Sequence, residues 1–175
     1  MREERGTGMD PLLNVALLVR ECGKIEGRKK LQKIVHILQE SGAPFRERFG
    51  MLHYGPYSSE LKRELDLLVN EKNSLITETE IQKEYKTYVY SPGEKLGELL
   101  KNVGKTAEPS WAQTAQNLND LSAQTLEAMS TILFLQKRGF HDNHLEDRFN
   151  KIKPQLASRY DEALKLATQH TEPTA

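Results

Sequence analysis

The sequence is short of several things that usually announce a function. Cysteine occurs once, at Cys22. A lone thiol cannot form an internal disulfide or a thiolate metal cage, which fits a reducing compartment, and the cytoplasm is the expected location. Long apolar runs are missing too. The longest, Val15 to Val19 inside Leu12–Val19, is far below the roughly 20 apolar residues a spanning helix needs, so no membrane partner is expected. The first residues, Met1–Gly8, hold two acids and lead into no cleavage site after an apolar core, unlike a signal peptide. There is no Gly-rich phosphate loop, no nucleophile elbow and no paired His/Cys arrangement. The chain is therefore read as not an enzyme, with no cofactor and no catalytic residue. His141-Asp142-Asn143-His144, with Asp147 nearby, lacks a third ligand at a set distance and reads as helix capping rather than a metal site.

Net charge is absent as well. The 175 residues carry 25 Lys+Arg against 25 Asp+Glu, which excludes a globally basic nucleic-acid coat and an acidic tail protein. The balance is not uniform along the chain. Residues 1–63 hold 12 Lys+Arg and 8 Asp+Glu, whereas residues 64–175 hold 13 and 17. The charge is segregated, with the positive excess in the N-terminal third.

What is present is clear punctuation. Asp10-Pro11 reads as an N-cap with proline at the first helical position, and Gly23 as the stop. Gly27 and Gly42 bracket a second helix whose Leu31, Ile34, Val35 and Leu38 form an i, i+3, i+4, i+7 stripe. The stretch Phe45–Gly55 suits short strands or a loop. Ser58 or Ser59 then caps a third helix reaching to about Lys72. Residues 75–78 and 85–90 read as two strands with a polar tip between them. Ser91-Pro92-Gly93-Glu94 reads as a capping box opening a helix that stops at Gly104. A linker at 105–109 leads to a helical remainder: a short helix capped by Ser110, one from about Ser122 to Arg138, one broken by Pro154, and a last one opened by Ser158 and fraying from Gln169. The fold class is mainly α with a small β-hairpin (α+β). The expected division is a disordered N-terminus 1–9, a winged-helix-like domain 10–104, a helical C-terminal extension 105–170 and a tail 171–175.

Two clusters stand out as binding candidates. Arg28, Lys29, Lys30 and Lys33 form the densest positive group, with Lys29, Lys33 and His36 placed opposite the apolar stripe of their helix. Such a face grips phosphates or an acidic partner, or is a plain solvated surface. In His53-Tyr54-Gly55-Pro56-Tyr57, Tyr54 and Tyr57 are candidates for a recognition surface, since tyrosine contributes apolar area and a hydroxyl at low entropy cost. The plainer reading is a strand-to-helix turn with aromatic packing. The third helix adds Lys62 and Arg63, but Glu60, Glu64, Asp66 and Glu71 outnumber its cations. Four acids there would repel the phosphates beside a DNA groove, and about 16 residues intervene where a helix-turn-helix wants a short turn. Duplex DNA is therefore the second expected partner, behind protein. Self-association into a homodimer is a further option.

The segment Gly27–Gln39 followed by His53–Tyr57 resembles the Panacea family, also called SocA-like antitoxins, in its Lys-Leu-x-Lys-Leu type helix (here Lys30-Leu31-Gln32-Lys33-Ile34) and its aromatic-Gly-Pro turn. The likeness covers about residues 27–70. The chain also resembles small bacterial proteins of the YwgA type, which share the Lys153-Pro154 segment. The resemblance implies a non-catalytic module that neutralises a toxin or serves as an adaptor by binding proteins, and it implies no catalytic residues. The expected function is thus a cytoplasmic protein-binding regulatory module, with a winged-helix DNA-binding regulator as the alternative.

Overall fold

Residues 31–38 are buried on every side of their helix, although three of the eight are polar or charged. That helix, α2 (Arg28–Glu40), is central because elements from both halves of the chain cover it. The computed structural model describes residues 10–171. Its order is α1 (Asp10–Cys22), β1 (Ile25–Glu26), α2, β2 (Gly50–Leu52), β3 (Gly55–Tyr57), α3 (Ser59–Val69), β4 (Ile76–Gln82), β5 (Lys86–Pro92), α4 (Leu96–Asn102), α5 (Ala112–Asn119), α6 (Ala123–Lys137), α7 (Asp142–Ile152), a 3-10 segment (Pro154–Arg159) and α8 (Tyr160–Thr171). The architecture is mainly helical with small antiparallel sheets.

Helices α5, α6 and α8 pack on α2, and α5 also packs on α1. One apolar core therefore runs across residue 104, from Val15, Leu18 and Ile34 to Leu126, Met129 and Phe149. The polar residues of α2 survive burial because each has a partner. Gln32 donates to the Ser58 carbonyl and accepts from the Ser58 N–H, both at 2.9 Å. His36 shares a 2.7 Å hydrogen bond with Ser130. Burial, then the nearby Lys33 charge, pushes the His36 imidazole down to about 3, so it is neutral at pH 7. This corrects the exposed cationic face expected for α2: His36 and Lys33 are core residues. A helical stripe locates the most apolar side of a helix, but it cannot show whether a second layer covers the other side.

Three strands form a sheet in the order β1-β5-β4, antiparallel throughout. Two-residue β1 has no periodicity that sequence could betray. It pairs Ile25 with Tyr90 and Glu26 with Val89. Gly27, at φ 109°, then turns the chain into α2 while its N–H donates to the Tyr88 carbonyl at 2.8 Å.

Several expected boundaries are corrected. Ser91 and Pro92 do not cap a helix, because they still pair with Thr77 and Ile76 in the sheet. Helix α4 begins at Leu96, with Lys95 in the cap position and no side-chain cap. Gly93 is needed for a different reason: a Cβ there would lie 2.1 Å from the Ser74 carbonyl oxygen. Ser158 lies inside the 3-10 segment, and α8 starts at Tyr160 and holds its order through Thr171. Trp111, not Ser110, takes the cap position of α5, without a side-chain bond. Ser58 does cap α3, accepting from Leu61 N–H at 3.2 Å, and Ser122 proves to be the cap of α6, accepting from Thr125 N–H at 3.1 Å. The disordered terminus expected at 1–9 lies outside the described residues, as do residues 172–175.

Candidate interaction cleft

The segment His53–Tyr57 folds as a tight hairpin. Its pairs are Gly50 with Tyr57, Met51 with Pro56 and Leu52 with Gly55, leaving His53 and Tyr54 as the turn. Gly55 has φ 86°, and a Cβ on it would meet Lys33 Cε at 3.2 Å, and Glu127 Cγ and Thr131 Oγ1 at 3.3 Å. Both conformation and space therefore call for glycine.

Beneath the hairpin lies a buried charge cluster. Lys33, 3% exposed, donates from Nζ to the Pro56 carbonyl at 2.7 Å. Lys153, 2% exposed, donates to Glu127 Oε1 at 2.7 Å and to the His53 carbonyl. Lys153 is thus ion-paired to Glu127, while Lys33 is bonded to the hairpin backbone beside them. Burial pushes the Lys33 ammonium down to about 8; Glu127 opposes that shift and Lys153 adds to it. Lys153 and Glu127 were absent from the residues picked on sequence. The one available signal was a lysine directly before the helix-breaking Pro154, where no turn of helix needs it.

Against this hairpin, α2 and α3 leave a cleft of about 240 Å³. Six of the eight candidate residues line it: Arg28, Lys29, Lys33, Tyr54, Tyr57 and Lys62. Leu31, Leu65 and Leu52 supply the apolar lining. Tyr54 and Leu52 remain 51% and 56% exposed. Lys29 Nζ sits 3.0 Å from the centroid of the Tyr54 ring, a cation–π contact of about 0.5–1 kcal/mol at an exposed site. Lys62 is paired with Asp66 at 2.6 Å, one turn along α3. Arg28 reaches the sheet: Nη2 donates to both oxygens of Glu78 at 3.1 Å, and Nε donates to the Tyr90 hydroxyl at 3.0 Å. The Tyr90 hydroxyl in turn donates to Glu78 at 2.6 Å.

Two candidates fall elsewhere. Lys30 turns toward α5, donating to the Asn119 carbonyl, and partial burial lowers its pKa. Arg63 lines a neighbouring depression beside the Arg48–Glu60 pair. Of the four clustered cations of the sequence, Arg28, Lys29 and Lys33 thus meet at the cleft and Lys30 leaves it, because successive positions on a helix point to different neighbours.

Other titratable groups belong to the frame. Burial, then Glu21, pushes the Cys22 thiol up to about 11, so it is protonated at neutral pH. Glu47 is buried in the loop before β2, and Glu64 faces it from α3. Burial, then the neighbouring Glu47 carboxylate, pushes the Glu64 carboxyl up to about 8. His141 takes the N-cap position of α7 without a side-chain bond, and Asp142 follows at φ 51°. Among the described residues no three His, Cys, Asp or Glu side chains are grouped to hold a metal ion, and no helix is long and apolar enough to cross a membrane.

No family model matches the chain. It is 33% identical over 147 residues to the uncharacterized protein YwgA of Bacillus subtilis (strain 168), an alignment taking in 82% of this chain and 86% of that protein. Identity at that level across nearly the whole of both chains places them in one family, and the chain described here belongs to the YwgA family.

Proposed function

We propose that this protein is a non-catalytic cytoplasmic module that acts by binding another protein, antitoxin- or adaptor-like as the Panacea resemblance implies, with the partner seated on the cleft between α2, α3 and the β2–β3 hairpin. One observation carries the reading: residues 28, 29, 33, 54, 57 and 62, drawn from three separate elements, converge on one cleft whose lip leaves Leu52 and Tyr54 open to solvent. Partly exposed aromatic and aliphatic side chains beside cations are the usual make-up of a protein-binding patch. Affinity purification of the tagged full chain from its native host tests the proposal. A partner recovered with the unaltered protein and lost with Leu52→Asp supports it. A partner retained by Leu52→Asp, or no specific partner, sinks it.

A second reading, the winged-helix DNA-binding regulator, is supported by the order α1-β1-α2-α3-β4-β5, with the β2–β3 hairpin inserted between α2 and α3, and by the sheet order β1-β5-β4; in it α3 would enter the groove and β4–β5 form the wing. Charge weighs against it. Lys62 is already shared with Asp66, Glu60 lies paired to Arg48, and Glu80 and Lys86 pair on the hairpin. Anisotropy of labelled duplex DNA decides: binding that falls steeply with salt favours this reading, and a flat trace at low salt removes it.

A further inference from the structure

We propose that the cleft takes one bulky apolar side chain from an acidic segment of the partner, the chain's cations receiving the flanking carboxylates. This rests on the protein-binding reading above and names the chemistry of what binds. Size is the first argument. At about 240 Å³ the cleft is smaller than the roughly 300–1,000 Å³ of typical ligand pockets, which suits a single anchor residue better than a cofactor. Such anchors, set in a small pocket ringed by weaker contacts, dominate many protein interfaces.

Lining chemistry is the second argument. Leu31 and Leu65 offer only carbon, while Tyr54 and Tyr57 offer ring faces and hydroxyls. A phosphate backbone would leave that surface without a partner. An aromatic or long aliphatic side chain would cover it.

Charge is the third. Four cations line the cleft against one carboxylate, Asp66. Arg28 and Lys62 already hold Glu78 and Asp66. Among the described residues Lys29 has no carboxylate partner and only its ring contact with Tyr54, so it is the cation readiest to receive one. Lys33 lies buried below, its ammonium committed to the Pro56 carbonyl. It lines the cleft at only 3% exposure, and its charge, under low-dielectric walls, raises the potential above it.

A dodecapeptide phage library selected on the full-length protein provides the test, followed by anisotropy of the fluorescein-labelled winning peptide. The expected winners carry Phe, Trp, Leu or Met flanked by Asp or Glu, and replacing that anchor by Ala weakens binding about tenfold or more. Lys29→Glu/Lys62→Glu weakens it to a similar extent, Leu52→Asp abolishes it, and Lys101→Glu, on the exposed end of α4, leaves it unchanged. The altered positions are exposed, and circular dichroism of each variant verifies the fold; Lys29→Gln/Lys62→Gln, milder, gives a smaller loss in the same direction. Neutral or basic winners that still depend on Leu52 overturn the acidic anchor while the protein-binding reading stands. Winners indifferent to Leu52→Asp, or no enrichment, overturn both. If 3-phenylpropionate alone raises the melting temperature and no peptide is selected, the cleft holds a small organic acid and the proposal fails.

Discussion

Lys33 and Lys153 hold the same hairpin from below, one through the Pro56 carbonyl and the other through the His53 carbonyl, with Glu127 as the counter-charge. One lysine comes from the central helix and the other from the break after α7. The shape of the candidate cleft is thereby tied to the C-terminal third of the chain.

The two lysines are not equivalent, and substitution separates them. Lys153→Met strips Glu127 of its ion-pair partner in a buried setting, a loss of about 3 kcal/mol. Lys33→Met removes a repelling charge and leaves the Pro56 carbonyl unsatisfied, costing about 1–2 kcal/mol. Urea unfolding should place Lys153→Met clearly below Lys33→Met. Adding Glu127→Gln to Lys153→Met should recover part of the loss. Equal effects would mean that Glu127 is solvated when its partner is gone.

Three glycines with different surroundings give a ranked series. At Gly23, φ is 70° and nothing lies within 4 Å of an added Cβ, so alanine meets backbone strain alone, about 1–2 kcal/mol. Gly55→Ala adds contacts at 3.2–3.3 Å with side chains that can yield. Gly93→Ala drives a methyl to 2.1 Å from the Ser74 backbone carbonyl, in the turn that leads into β4. Melting temperatures should therefore fall in the order Gly23→Ala, Gly55→Ala, Gly93→Ala, the last being the lowest.

Stability should vary with pH through two groups of opposite sign. Glu64 binds its proton more tightly folded than unfolded, so its contribution is complete below about 4.5 and is lost as pH rises to about 8. His36 binds its proton less tightly folded, so stability falls as pH drops from 6.5 toward 3. Between 4.5 and 6.5 the two slopes oppose. Between 6.5 and 8 Glu64 sets the slope, and only as pH rises through about 8 does Lys33, whose ammonium binds its proton less tightly folded, add a slope of opposite sign. Glu64→Gln should abolish the fall in melting temperature between pH 6.5 and 8 and leave the acid limb in place. A fall that persists in this variant assigns the slope to another group.

A chain cut after Gly104 should not fold on its own. It would bare the faces of α1 and α2 that α5, α6 and α8 cover, including the fully buried Ile34, Ile37 and Leu38. The expected product is aggregated or binds a hydrophobic dye strongly, measured against the intact protein. A soluble fragment with native near-ultraviolet circular dichroism would show that this layer is dispensable.

Where a signal is local, the sequence carried it. Ser58 and Ser122 cap their helices because the hydroxyl and its N–H partner lie three residues apart. The alternation in Tyr85–Tyr90 marks β5 because pleating acts residue by residue. Tyr54, Tyr57 and Lys29 could be picked because an aromatic-Gly-Pro turn and a cationic run are visible without a partner. What depended on distant chain stayed hidden. Lys33 looks like a surface lysine until Glu127 and Pro56 are placed around it. Ser91-Pro92 looks like a cap until β4 is found to extend alongside it. Lys153 stands out locally only by preceding Pro154, and its hold on a turn a hundred residues earlier depends on distant chain.

The placement of α2 bears also on how the protein is made. During synthesis the central helix leaves the ribosome well before α5, α6 and α8, the layer that later covers it. For that interval its apolar side has no native cover, and premature collapse or capture by a chaperone competes with productive folding. Native structure must wait for nearly the whole chain, so synonymous changes that slow translation between α4 and α6 would prolong the vulnerable interval and reduce the yield of folded protein.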